Sequence, residues 1–224
     1  MDRYFYQKID STNEEAKRLL RKRKSPPFYI VAEEQTQGKG QQGRKWISPK
    51  GGLYISIVLG EEYDIHTALL SATLSVQKLL SSYVSDIKIR FPNDLITKNK
   101  KIAGILIEKG NNFTIFGIGV NVNQKIFPEE IKEKATSLYL ITGEKYRIRD
   151  IEKGILRHLL DTRKLPTPVL FQWYKKALML DMPAVLHLKK GPPIRTVIKD
   201  ITERFDILTE KGYFKLEELV WIEW

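Results

Sequence analysis

A stretch with three glycines and three basic side chains, residues 38–46, is the part of the sequence best suited to binding an anion. It reads Gly-Lys-Gly-Gln-Gln-Gly-Arg-Lys-Trp. Glycine lets the backbone approach a ligand closely and adopt positive φ, and basic side chains beside exposed amides attract carboxylates and phosphates. The stretch lacks the Gly-Lys-Ser/Thr ending of a Walker loop, and Pro49 argues against the helix that a dinucleotide fingerprint needs. It indicates an anion-binding loop, with a flexible surface loop as the alternative.

Three further segments place polar residues beside predicted strands and turns. Residues 11–13 read Ser-Thr-Asn, residues 91–95 read Phe-Pro-Asn-Asp-Leu and are followed by Lys-Ile-Ala-Gly-Ile-Leu-Ile-Glu at 101–108, and residues 117–123 read Gly-Ile-Gly-Val-Asn-Val-Asn. Each has a purely structural alternative. The first can cap a helix, the Asn-Asp pair can form an Asx turn, and Lys101 can belong to an ordinary cluster of surface lysines.

Taken in order along the chain, these motifs resemble those of the biotin protein ligases (biotin–[acetyl-CoA-carboxylase] ligases). The family pattern is roughly S-T-N, G-R-G-R-x-G-R-x-W, K-W-P-N-D, K-x-x-G-I-L-x-E and G-I-G-x-N-x-N, and the resemblance covers about residues 4–145. It implies that the biotin carboxylate attacks the α-phosphate of ATP, accompanied by Mg²⁺, to give biotinyl-5′-AMP and pyrophosphate. A lysine of a biotin carboxyl carrier protein, or of the carrier domain of a biotin-dependent carboxylase, then displaces AMP. A homodimer is also implied.

The resemblance further implies roles for particular residues. Lys101 and Arg44 are the expected catalytic residues, and the family's matching lysine contacts both the carboxylate and the α-phosphate. Biotin is expected to contact Ser11, Thr12, Asn13, Gln35, Gly38, Lys39, Gly40, Gln41, Lys101 and Gly104. ATP is expected to contact Lys39, Gly43, Arg44, Trp46, Asn93, Asp94 and Asn121, with Asp94 also the candidate Mg²⁺ ligand. An ordinary core position is the alternative for Trp46.

The glycine loop departs from the family pattern at three positions. Lys39 stands where the family usually has arginine and keeps the charge without the forked guanidinium. Gln41 also replaces an arginine, and Gln42 is neutral where a second basic residue is common. Loss of a charge-assisted contact at Gln41 predicts a weaker hold on the AMP phosphate, by about 1–2 kcal/mol. The sequence therefore predicts an enzyme that releases its adenylate more readily.

Hydrophobic periodicity predicts strands and helices mixed along the chain, and the resemblance implies an α+β fold with a central mixed or antiparallel sheet flanked by helices. Residues 102–121 have the pattern of a hairpin, with a turn at the Gly-Asn-Asn of residues 110–112. Predicted strands cover residues 3–9, 28–32, 53–59, 87–91, 102–108 and 113–121, and predicted helices cover residues 12–24, 65–83 and 149–160, with a short helical segment from residue 128.

After residue 178 the pattern changes to short strands separated by polar, Gly- or Pro-containing turns. Five such strands are predicted, which is typical of a small β-barrel, and biotin protein ligases carry an SH3-like domain at this place. We therefore expect a catalytic domain at 1–178 and an SH3-like domain at 179–224. The strands are predicted at residues 184–188, 194–198, 205–208, 213–216 and 220–222.

Composition narrows the class of protein. The 224 residues contain no cysteine, which excludes a disulfide framework, a thiolate metal site and a cysteine nucleophile. No apolar run is long enough to span a membrane, and the N-terminus lacks the apolar core of a signal peptide. A cytoplasmic enzyme is expected. Because the catalytic motifs start almost at residue 1, we expect no N-terminal DNA-binding helix-turn-helix.

Two alternative functions remain open. A lipoate–protein ligase shares the fold and the adenylate strategy, although the glycine loop and residues 101–108 favour biotin. The net charge of +11 suits a basic module that binds nucleic acid or protein. No zinc-finger or aromatic-rich RNA-binding motif accompanies that charge, and a basic module leaves the ordered motifs unexplained.

Overall fold

The computed structural model describes residues 1–61 and 63–224, which form two β-sheets and five α-helices. Its helices are α1 (Thr12–Arg21), α2 (Ile65–Leu80), α3 (Leu138–Thr142), α4 (Ile148–Thr162) and α5 (Thr167–Ala177). Its strands are β1 (Asp2–Tyr6), β2 (Phe28–Ala32), β3 (Leu53–Leu59), β4 (Lys88–Arg90), β5 (Asp94–Thr97), β6 (Lys100–Gly110), β7 (Phe113–Val120), β8 (Met182–Leu188), β9 (Ile194–Ile201), β10 (Ile207–Thr209), β11 (Gly212–Phe214) and β12 (Leu219–Glu223).

The larger sheet has seven strands in the order β1-β2-β3-β7-β6-β5-β4. Strands β1 and β2 are parallel, and every other neighbouring pair is antiparallel. Helix α1 packs on one face, against β2, β3 and β7, and α2 and α4 pack on the other. The mixed sheet flanked by helices that the sequence predicts is confirmed.

Strand β3 is buried along its whole length and divides its side chains between the two faces. Leu53, Ile55 and Ile57 pack into the main core beneath α2 and α4, and Val58 packs with Ala16 of α1 on the opposite face. Because side chains alternate along a strand, Ser56 lies on the α1 side. A fully buried serine in a central strand needs hydrogen-bond partners, and those partners are found in the candidate site.

The smaller sheet is antiparallel, in the order β11-β10-β9-β8-β12. Its five strands overlap the five predicted for the C-terminal region, and the arrangement fits an SH3-like unit. Phe205 joins the two parts of the chain, since its ring centroid lies 5.5 Å from that of Phe91, 5.7 Å from that of Tyr174 and 4.7 Å from the stacked imidazole of His66. One hydrophobic cluster therefore runs through both sheets.

Strand β5 is absent from the sequence prediction, which assigns a turn to this region. The chain reverses between β5 and β6 through Lys98 and Asn99, which both have positive φ, of 47° and 60°. Such a two-residue reversal usually carries glycine at one of these positions, so the usual hairpin signal is missing. A lysine in the left-handed region is uncommon, and the pairing of β5 with β6 on either side of the turn holds it there.

The helix predicted from residue 128 is wrong. Residues 129–134 form consecutive turns, and they lie beside β6, where the Lys101 amide donates a hydrogen bond to the Lys134 carbonyl at 2.8 Å. This pairing with a strand holds the segment out of a regular helix. Helices α3 and α5 are further elements that the sequence analysis does not predict, and β1, α1 and α2 each end three residues earlier than predicted.

Candidate active site

A cavity of about 130 Å³, open to solvent, lies between the glycine loop and the α1 side of the large sheet. Residues far apart in the sequence form its wall. Of the expected site residues, those lining the cavity are Ser11, Thr12, Asn13, Gln35, Lys39, Gly40, Gln41, Arg44, Trp46, Asn93, Asp94, Lys101 and Gly104. Gly38, Gly43 and Asn121 lie outside this lining. The fold thus brings four of the sequence motifs to one place.

The polar end of the cavity is built on the first turn of α1. Ser11 is the N-cap residue, and its hydroxyl accepts a hydrogen bond from the Glu14 amide at 3.5 Å. Thr12 donates to Gln35 Oε1 twice, from its amide at 2.8 Å and from its hydroxyl at 3.0 Å. Helix capping and cavity lining therefore occur together at these residues.

Asn13 is fixed from both sides of its carboxamide. Its Nδ2 donates to Glu108 Oε2 at 2.7 Å, and its Oδ1 lies 2.5 Å from the Ser56 hydroxyl. Gly117 makes room for this group, since a Cβ there would stand 2.5 Å from Asn13 Oδ1. Sequence analysis does not single out Ser56 or the side chain of Glu108. The one signal that could have identified Ser56 is its place as a serine in an otherwise apolar predicted strand.

Asp10 fixes the turn that leads into this polar end. Its carboxylate accepts hydrogen bonds from both terminal nitrogens of Arg18 at 2.7 Å and from the Ser11 amide at 2.7 Å. The Arg18 hydrogen bonds, reinforced by the Ser11 amide, lower the pKa of Asp10 from 3.8 to about 2. The ion pair with Arg18 is therefore kept at any pH above about 4.

This depressed pKa predicts a pH-dependent contribution to stability. A carboxylate with a lower pKa when folded stabilises the fold above its unfolded pKa and loses that contribution as pH falls through the folded value. An Asp10→Asn variant is thus expected to unfold more easily than the parent at pH 6, by less than about 1 kcal/mol because the pair is partly exposed to solvent. The difference should vanish near pH 2. Urea unfolding at both pH values measures it, and an equal difference at the two would contradict it.

The apolar floor of the cavity consists of two glycines under an indole ring. Gly104 on β6 and Gly119 on β7 are cross-strand neighbours, and Trp46 lies directly on both. A Cβ at Gly104 would stand 2.8 Å from Trp46 Cζ3, and one at Gly119 would stand 2.5 Å from Cε2. These distances are below van der Waals contact, so only glycine fits at either position. Trp46 is thereby a wall of the cavity.

Lys101 places a cation at the junction of this floor and the loop. Its Nζ lies 2.5 Å from Asp94 Oδ1 and 4.9 Å from the centroid of the Trp46 ring. The other oxygen of Asp94 accepts a hydrogen bond from Arg90 at 3.0 Å. The neighbouring Lys100 reaches away from the cavity, to the Lys132 carbonyl at 3.2 Å. Of the two adjacent lysines, Lys101 alone is among the residues that line the cavity.

The glycine loop is a short hairpin. The Gly40 amide donates to the Arg44 carbonyl at 2.7 Å, and the Trp46 amide donates to the Gly38 carbonyl at 2.8 Å. Gln42, at the tip with φ 56°, donates from its side chain to the Val220 carbonyl of the smaller sheet. The loop is therefore tied to the C-terminal part of the chain.

The basic residues of the loop have different partners. Lys39 Nζ lies 2.6 Å from Glu14 Oε1, so this charge is already paired. Arg44 makes no ion pair within residues 1–61 and 63–224, and its Nε donates only to the Gln41 carbonyl at 3.3 Å. Of these two residues, Arg44 is therefore the one whose charged group is available to an anion. A guanidinium can bind two phosphate oxygens at once, in a bidentate pair.

The side chains of the two asparagines expected near ATP form hydrogen bonds with other residues of the chain. Asn93 lines the cavity, but its Nδ2 donates to the Ile105 carbonyl at 2.6 Å, which joins the start of β5 to β6. Asn121 is buried, and its Oδ1 accepts a hydrogen bond from Gln124 at 3.3 Å. Contact of either residue with a nucleotide remains a prediction.

A resident metal ion does not fit the residues around Asp94. Both oxygens of this carboxylate are held by cations, Lys101 and Arg90. Among the described residues, no group of three or more His, Cys, Asp or Glu side chains could hold a metal. Since Mg²⁺ at such sites is bound largely by substrate phosphates, any metal role of Asp94 depends on the ligand that enters.

Comparison with known proteins shows the family of this chain. The model of the biotin/lipoate A/B protein ligase family matches residues 5–124. The bifunctional ligase/repressor BirA of Bacillus spizizenii is 34% identical over 164 residues, 68% of this chain and 49% of that protein. The biotin–[acetyl-CoA-carboxylase] ligase of Mycobacterium tuberculosis is 33% identical over 196 residues, 82% of this chain and 73% of that protein.

Solved structures extend the similarity to the smaller sheet. The biotin protein ligase from Aquifex aeolicus in complex with biotin and ATP superposes with a TM-score of 0.85 at 29% identity, over 99% of this chain and 98% of that one. By contrast, the chain spans about half the length of the bifunctional ligase/repressors it matches. No helix within the described residues is long and apolar enough to cross a membrane.

Proposed function

The chain belongs to the biotin/lipoate A/B protein ligase family, and from this we propose that it is a biotin protein ligase. It uses ATP to convert biotin to biotinyl-5′-AMP and transfers the biotinyl group to a lysine of a biotin carboxyl carrier protein. One observation carries the proposal. Polar side chains, two glycines covered by the Trp46 ring and the amine of Lys101 line one cavity, and these are the groups that the urea head, the apolar tail and the carboxylate of biotin require.

The polar end suits the urea head of biotin. A urea offers one carbonyl acceptor and two N–H donors, and buried polar groups of this kind need full hydrogen bonding. Hydroxyl groups of Ser11 and Thr12 and the carboxamides of Asn13 and Gln35 surround this end. The slot bounded by the Trp46 ring, which packs on the paired glycines, then accepts the ring and the aliphatic tail, which leaves the carboxylate near Lys101.

Lys101 and Arg44 act on the first step. A biotin carboxylate oxygen forms a bond to the α-phosphorus of ATP while the bond from that phosphorus to the pyrophosphate oxygen breaks. Carboxylate and phosphate repel each other, so fixed cations that hold them in line lower the barrier. Lys101 exchanges its pairing with Asp94 for the two reacting anions, and Arg44 binds phosphate oxygens. No enzyme nucleophile takes part.

The nucleotide binds beside the glycine loop, with Lys39, Gly43, Trp46, Asn93, Asp94 and Asn121 as the proposed contacts. Magnesium enters with ATP as part of the substrate. In the second step the acceptor lysine attacks the carbonyl carbon of the mixed anhydride, and AMP leaves as its bond to that carbon breaks. Lys101 then faces the carbonyl oxygen on which negative charge develops.

The proposal extends to the domains, the acceptor, the location and the oligomeric state of the protein. Residues 1–178 form the catalytic domain and residues 179–224 an SH3-like domain. The acceptor is the carrier protein or carrier domain of a biotin-dependent carboxylase, as the name of the Mycobacterium tuberculosis relative indicates. The protein works in the cytoplasm and as a homodimer. Gln41, which lines the cavity, holds the adenylate less firmly than an arginine and makes it easier to release.

Mass spectrometry of two acceptor domains tests the proposal. The purified protein is incubated with ATP and Mg²⁺ and either a biotin acceptor domain with biotin or a lipoyl acceptor domain with lipoate. A biotin-sized mass gain on the first acceptor is the expected result. A lipoyl-sized gain on the second instead would make the protein a lipoate–protein ligase, and no gain on either would favour a binding function.

A further inference from the structure

Ser56 lies beneath the polar end of the cavity and contacts two of the residues that line it. It is fully buried on β3, and its Oγ lies 2.7 Å from Thr12 Oγ1 and 2.5 Å from Asn13 Oδ1. Ser56 itself does not line the cavity. Any influence on a ligand therefore passes through Thr12 and Asn13, which makes Ser56 a candidate positioning residue.

The orientation of the Asn13 carboxamide follows from Glu108. An ionised carboxylate can only accept hydrogen bonds, and Glu108 is ion paired with Lys17 at 2.6 Å. The group facing Glu108 Oε2 at 2.7 Å is therefore the NH₂ of Asn13. Its Oδ1 must then face Ser56, so the short contact between them requires the hydrogen of the Ser56 hydroxyl.

The hydroxyl hydrogens at this end of the cavity are used up within the protein. Each hydroxyl supplies one hydrogen. The Ser56 hydroxyl donates to Asn13 Oδ1, which leaves its oxygen free to accept the hydrogen of Thr12 Oγ1 at 2.7 Å. Gln35 Oε1 already accepts from the Thr12 amide at 2.8 Å. No acceptor lacks a hydrogen, and these residues can offer a ligand only oxygen lone pairs.

We propose that Ser56 is a specificity-determining positioning residue, which holds Thr12 and Asn13 so that their oxygens present only lone pairs to the cavity and select a ligand head that brings N–H donors. This inference rests on the proposed function, because biotin is the ligand whose urea carries such donors. A ligand N–H can then donate to Thr12, Gln35 or Asn13. A head without N–H groups, such as the dithiolane of lipoate, offers these lone pairs no donor in a buried place, where polar groups need hydrogen bonds.

Steady-state adenylation with separate variation of biotin and ATP tests the role of Ser56. In a Ser56→Ala variant the KM for biotin is expected to rise about tenfold, with kcat and the KM for ATP within twofold of the parent. A Ser56→Cys variant, which keeps the shape but is a weak donor, should behave like the alanine variant, and Ser56→Thr should recover most of the affinity. In an Asn13→Ala background, Ser56→Ala should cost less than in the parent.

Ser75 provides a matched control, since it is equally buried and its hydroxyl donates to the Ser71 carbonyl inside α2, away from the cavity. Ser75→Ala should leave the KM for biotin unchanged. A parental KM for biotin in both Ser56→Ala and Ser56→Cys would overturn the inference, as would a parallel loss of ATP affinity. A parent protein that forms no biotinyl-5′-AMP would instead overturn the proposed function, and this inference with it.

Discussion

A Lys101→Ala variant is expected to lose about 100- to 1,000-fold in the rate of biotinyl-5′-AMP formation, the size of effect seen when one preorganised charge or donor is removed from a reacting oxygen. The amine lines the same cavity as the Trp46 ring and lies 2.5 Å from Asp94. Its removal leaves the carboxylate–phosphate repulsion uncompensated and leaves Asp94 with Arg90 as its remaining cation. ATP–pyrophosphate exchange in the presence of biotin measures the first step directly.

The neighbouring lysine offers a matched control. Lys100→Ala removes the same charge one residue away, where the side chain contacts only the Lys132 carbonyl and Glu133, and exchange should stay within about twofold of the parent. Lys101→Arg keeps the charge on a bulkier group and should recover little activity, since the amine is a compact point charge and the guanidinium a planar fork. Equal losses in Lys100→Ala and Lys101→Ala would indicate that the reaction depends only on the overall positive charge of this region and not on the position of the Lys101 amine.

The elements that sequence analysis predicts well are those whose pattern is strong and local. Strands β2 and β3 begin and end at the predicted residues because each is a continuous apolar run bounded by turn-forming residues. The order of the motifs likewise predicts which residues meet, and thirteen of the expected side chains and glycines line the cavity. These predictions need no knowledge of distant pairings.

Other features lack a local signal or depend on contacts between distant parts of the chain. The β5–β6 hairpin turns through Lys98 and Asn99 in the left-handed region, without the glycine that usually marks such a turn. Ser56 meets Thr12 and Asn13 only once β3 lies beneath α1. Asn121 belongs to one of the motifs, but its side chain is buried and accepts a hydrogen bond from Gln124. Sequence spacing identifies such a residue without indicating the direction of its side chain.

The glycine floor provides the second large prediction. Gly119→Ala places a methyl group 2.5 Å from Cε2 and Nε1 of the Trp46 ring, so the indole must shift into the slot that the biotin tail is proposed to occupy. Overpacking of this kind costs about 1–3 kcal/mol, which corresponds to on the order of 5- to 150-fold in affinity. Calorimetric titration with biotin should therefore show a dissociation constant raised within that range.

Two further variants separate loss of the slot from general damage. Gly60→Ala adds a methyl group 3.3 Å from Pro26 Cβ, outside the cavity, and should bind biotin like the parent. A Gly119→Ala/Trp46→Phe double variant has a smaller ring over the new methyl group and should bind biotin more tightly than Gly119→Ala alone. If the double variant is weaker by the full sum of the two single changes, the methyl group and the indole do not compete for space. The ring would then not be the wall that limits the slot, and the biotin tail would have to lie elsewhere on the sheet.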